Sequence, residues 1–66
     1  MKYILETAIS EAKLMFPGID PDKLIRVCKH FTDYMNGDIK KDFELLKDEE
    51  NKKIFNRLMF GARMES

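Results

Sequence analysis

Sixty-six residues make one domain, and a domain this short buries only about 60% of its unfolded surface, so it has little stability to spare. Twelve basic residues balance twelve acidic ones, which removes the simplest electrostatic case for nucleic acid or an anionic membrane. A single cysteine, Cys28, excludes an internal disulfide framework, and a single histidine, His30, excludes a Cys/His zinc site.

The first expected helix runs from Lys2 to Phe16. Leu5, Ala8, Ile9, Ala12, Met15 and Phe16 recur at helical spacing. Pro17-Gly18 ends it, because the residue before a proline is pushed out of helical geometry. A tight turn then leads into the best-marked helix, 21–36. Asp20 is a good N-cap, and Pro21 sits at the first helical position, where its missing N–H costs nothing. Ile19 and Leu24 have the spacing of a hydrophobic staple. Leu24, Val27, Cys28, Phe31, Tyr34 and Met35 form the buried stripe, and Asn36-Gly37 supplies the stop. So short a connection predicts that these two helices pack as an antiparallel hairpin.

A third helix is expected over 39–47, capped by Asp38 and carrying Ile39, Phe43 and Leu46 on its apolar side. Lys47 to Lys53 is wholly polar, which places a break there with Asp48 as a fresh N-cap. One continuous helix through the stretch is the alternative, since nothing in it is a strong breaker. The last helix, 49–62, buries Ile54, Phe55, Leu58, Met59 and Ala62, and Arg63 to Ser66 is expected to fray. The fold class is therefore all-α: a bundle of three to four helices (2–16, 21–36, 39–47, 49–62) forming one domain, 1–66.

The sequence offers little chemistry. Gly18, Gly37 and Gly61 stand alone, so no phosphate-cradling loop exists. Cys28 lies on the apolar stripe and reads as a buried structural thiol. His30 falls on the polar side of the same helix and reads as a solvated histidine. No catalytic residue, metal ligand, cofactor or small-molecule substrate is inferred, and the chain is not expected to be an enzyme. No apolar run approaches the roughly 18 residues of a membrane span. The lone cysteine and the lack of an apolar leader point to a reducing, cytoplasmic setting.

A helix-turn-helix DNA-binding regulator is the alternative outline, with the 39–47 helix as the base reader. Asp38 to Glu50 holds three basic against six acidic residues, a net −3, which argues against nucleic acid because phosphate neutralisation drives such binding. Asn51 to Ser66 holds four basic residues against one acidic, a net +3. The two segments either neutralise each other within the chain or leave a basic amphipathic helix for an acidic partner.

Several large apolar residues fall off the stripes. Phe60 stands about 170° from the centre of its helix's apolar face, with Met64, Arg57 and Lys53 on the same side. Tyr3 and Leu14 lie opposite the stripe of the first helix. The expected partner-binding residues are thus Phe60, Met64, Arg57, Lys53, Tyr3 and Leu14. The expected function is a small, non-catalytic interaction module that docks on or modulates a partner protein or pairs with a second copy of itself.

Overall fold

The computed structural model describes the backbone of residues 2–65 and the side chains of residues 2–62. Three α-helices carry the fold: α1 (Leu5–Met15), α2 (Pro21–Met35) and α3 (Glu49–Glu65), with one 3₁₀ turn over Leu45–Lys47 and no strand among the described residues. No described helix is long and apolar enough to cross a membrane.

Helix α2 keeps the boundaries its caps dictate. The Asp20 carboxylate accepts the Asp22 N–H at 3.3 Å. At the other end Gly37, at φ +80°, turns the chain. Its N–H donates to the Tyr34 carbonyl and the Asp38 N–H donates to the Asp33 carbonyl, the paired bonds of a Schellman stop.

Helix α1 begins at Leu5, three residues later than the stripe predicts. The reason lies at the far end of α2. The Tyr3 N–H donates to Asn36 Oδ1 (2.7 Å), and Asn36 Nδ2 donates to the Tyr3 carbonyl (3.1 Å). The Asn36 amide thus takes the Tyr3 carbonyl that a helix from Lys2 would give to the Thr7 N–H, and Ile4 stays extended at φ −112° and ψ 127°.

The expected helix over 39–47 does not form; only its last three residues wind into the 3₁₀ turn. Two observations account for this. The Asp42 N–H donates to His30 Nε2 (3.0 Å), which ties mid-segment to α2. The Asp42 carboxylate accepts the N–H groups of Glu44 (3.0 Å) and Leu45 (3.2 Å), so the turn is capped at Asp42 rather than Asp38. A three-residue apolar stripe is also too short to repay helix nucleation. Of that stripe, Leu46 is buried while Ile39 and Phe43 are exposed.

Asp48 then caps α3. It is extended (φ −69°, ψ 124°), and its carboxylate accepts the N–H groups of Glu50 (2.8 Å) and Asn51 (3.2 Å). Asn51 Nδ2 reaches back to the Leu45 carbonyl (3.0 Å), pinning the 3₁₀ turn against the helix start. The continuous-helix alternative is thereby excluded. Helix α3 runs past Gly61 to Glu65, beyond the expected end at residue 62.

The core lies between the three helices and the turn. Leu24, Val27, Cys28 and Phe31 of α2 meet Ala8 and Ala12 of α1, and Ile54, Phe55, Leu58 and Ala62 of α3, with Leu46 from the 3₁₀ turn. Alanines as the buried residues of α1 let its backbone approach α2, and Cys28 Sγ donates to the Ala8 carbonyl at 3.6 Å. Edge-to-face contacts of Phe31 with Tyr3 (5.7 Å) and with Phe55 (6.1 Å) tie the layers together.

His30 is the main correction to the sequence reading. It is 6% exposed, not solvated, and its ring stacks on Phe55 at 5.4 Å. Helix α2 packs against both α1 and α3, so it buries two faces. Lys23, Val27, His30 and Tyr34 share the second one, and Lys23, His30 and Tyr34 each contact α3 or the Asp48 that caps it.

Candidate functional site

The inner side of α3 is filled by Asn51, Ile54, Phe55, Leu58 and Ala62. Lys53, Arg57 and Phe60, at i, i+4 and i+7, stand together on the opposite side and all three are exposed. Phe60 is 59% exposed. The backbone of Met64 continues this row, but its side chain lies outside the described residues.

The other two expected docking residues lie elsewhere. Leu14 is 85% exposed on the outer side of α1, opposite Ala8 and Ala12. Tyr3 is half-buried, with its ring edge-on to Phe31 and close to Leu58 and Ala62. The structure therefore brings together Lys53, Arg57 and Phe60 and leaves Tyr3 and Leu14 apart from them.

Two carboxylates of the acidic stretch, those of Asp48 and Glu50, are paired from α2. Lys23 Nζ lies 2.8 Å from Asp48 Oδ2 and 3.2 Å from Glu50 Oε1. The Lys23 ammonium, together with the Asn51 and Glu50 N–H groups that Asp48 accepts, holds the Asp48 carboxyl below the usual carboxylate range, and Asp48 in turn raises Lys23. Among the described residues, no ion pair engages Lys52, Lys53 or Arg57. Lys52, Lys53 and Arg57 are thus left to face solvent.

A second exposed feature adjoins this face. Phe43, assigned by periodicity to a buried stripe, is 71% exposed. With Lys41, Leu46 and Lys47 on one side and Glu49, Lys52 and Asn56 on the other, it lines an open groove of about 440 Å³. In the sequence Phe43 falls on the apolar side of the expected 39–47 helix, and the shortness of that stripe is the one signal against it.

Nucleophilic chemistry is poorly served. Burial pushes the Cys28 thiol up to about 11, so it stays protonated and enclosed at neutral pH. His30 Nε2 is occupied by the Asp42 N–H. No group of three or more His, Cys, Asp or Glu side chains is arranged to hold a metal among the described residues. No protein-family model, curated protein or solved structure matches the chain.

Proposed function

We propose that this chain is a non-catalytic protein-interaction module that docks on, and modulates, a partner protein through the outer face of α3. Phe60 is the apolar centre, and Lys53 and Arg57 form a basic rim suited to an acidic surface. The observation that carries this reading is the exposure of Phe60 on a helix whose inner side is already filled. The scaffold behind it is an antiparallel α1–α2 hairpin, supported by the clasp between Tyr3, just before α1, and Asn36, just after α2. A cytoplasmic site of action fits the protonated, unpaired Cys28.

The docking reading is favoured over a helix-turn-helix regulator because residues 39–44, the start of the would-be base reader, hold no helix. The test is the double variant Phe60→Ser with Met64→Ser, followed by circular dichroism, sedimentation and affinity capture from the native host. Helicity should be unchanged, while a captured partner or a self-associated form should be lost. Loss of helicity would assign these residues to the core and end the proposal. A discrete complex of the wild-type protein with duplex DNA near physiological salt would replace it.

A further inference from the structure

The groove beside the Phe60 face has a specific chemistry. Its floor is Leu46, buried, and one wall is the Phe43 ring. Lys41 Nζ lies 5.9 Å from the Phe43 ring centre and 5.6 Å from that of Phe55, so its charge is held over the groove between two aromatic faces. Lys47 and Lys52 add two more ammonium groups, against the single carboxylate of Glu49 in the lining. Lys47 is partly offset by Glu44 at 3.1 Å, but Lys41 and Lys52 have no ion-pair partner among the described residues. The His30–Asp42 bond and the Asn51–Leu45 bond hold the backbone on either side of Phe43.

We propose that this groove receives an acidic segment of a partner protein bearing one large apolar side chain. The apolar group would lie on Leu46 and Phe43, and flanking carboxylates would meet Lys41 and Lys52. A volume of about 440 Å³ suits one such side chain with its backbone. A second copy is the weaker fit. Its own acidic cluster is already engaged, because Asp48 and Glu50 are held by Lys23 and Asp48 also caps α3. The inference rests on the docking reading in taking the ligand to be a protein segment, and it names that segment's chemistry and anchor point.

The probe is a fluorescein-labelled synthetic peptide in which Glu and Asp flank a single Phe. Its control has Gln and Asn in place of the acids. Binding is read by fluorescence anisotropy and mapped by amide chemical shifts on the full chain. The acidic peptide should bind, the control should not, and binding should weaken with salt. Shifts should concentrate at Lys41, Phe43, Leu46, Lys52 and Asn56. Phe43→Ser and Lys52→Glu, both at exposed positions, should each weaken binding by about tenfold or more with circular dichroism unchanged. No binding of the acidic peptide, or binding indifferent to both substitutions, overturns the groove assignment. Binding sensitive to Phe60→Ser alone also overturns it while leaving the docking reading intact. A dimer in sedimentation that Phe43→Ser dissolves gives the groove to a second copy and overturns the occupant proposed here.

Discussion

His30 makes two separable contributions, and two substitutions can divide them. Nε2 accepts the Asp42 N–H at 3.0 Å, which requires a neutral ring with its proton on Nδ1. The ring face stacks on Phe55 at 5.4 Å. A neutral hydrogen bond of this kind contributes about 1 kcal/mol, and an aromatic pair about 0.5–1.5 kcal/mol beyond area burial. A domain of this length has a total of roughly 3–10 kcal/mol, so either loss is measurable. His30→Phe keeps the stacked ring and removes the acceptor. It should lower stability by up to about 1 kcal/mol in a urea titration while the Asp42 amide exchanges with solvent about fivefold faster. His30→Gln places an amide oxygen where Nε2 stood and removes the ring. It should restore protection at Asp42 while lowering global stability by about 1 kcal/mol. Equal exchange at Asp42 in wild type and His30→Phe would show that this bond does not hold the 38–44 segment, and the reasoning would fail.

The two acidic caps should differ. Asp20→Ala should cost about 1 kcal/mol in a urea titration, from one long cap bond. Asp48→Ala should cost more, because it removes acceptors for two N–H groups and the partner of Lys23; a smaller loss at Asp48 would refute the cap assignment. Part of the Asp48 contribution should disappear as pH falls through its depressed folded-state pKa, and Lys23→Met should blunt that acid sensitivity. Cys28 acts at the other end of the scale. Its thiol is raised from 9.0 to about 11, so the stability it adds is full below the unfolded value and drains as pH rises between the two. From about pH 8 to about pH 11, wild type should lose on the order of 2–3 kcal/mol more than Cys28→Ala, and equal losses would overturn this.

The parts of the fold that could be read in advance are those written in neighbouring residues. Asp20-Pro21, Asn36-Gly37 and Asp48-Glu49-Glu50 act on backbone groups two or three positions away, and α2 and the start of α3 lie where these signals place them. What could not be read depends on partners far along the chain. Asp42 is held by a side chain twelve positions earlier, and Tyr3 by one thirty-three positions later. No local pattern announces either bond, and both override a stripe that would otherwise extend a helix. His30 was misplaced for a related reason: one apolar stripe defines one buried face, but α2 has neighbours on two sides. The same limits apply to the surface. The exposure of Phe60 follows from a helix whose inner face is already complete. That of Phe43 follows from a helix that never forms.

The link between Tyr3 and Asn36 makes unequal demands on its two positions. At residue 3 only the main chain is recognised, one N–H and one carbonyl. As far as that link is concerned, every residue there is acceptable except proline, which has no N–H to give. At residue 36 the side chain must accept and donate at once, which aspartate cannot do when ionised. Asn36→Asp, a change of one heavy atom and one product of spontaneous deamidation, would keep the acceptor and set a carboxylate oxygen against the Tyr3 carbonyl. Asn36 is also followed directly by Gly37, the neighbour that least hinders the backbone attack from which deamidation begins. In the fold the Gly37 N–H is held by the Tyr34 carbonyl and the Asn36 amide by Tyr3, so the clasp that depends on this amide also shields it, and the chain is open to the attack only when the clasp is undone.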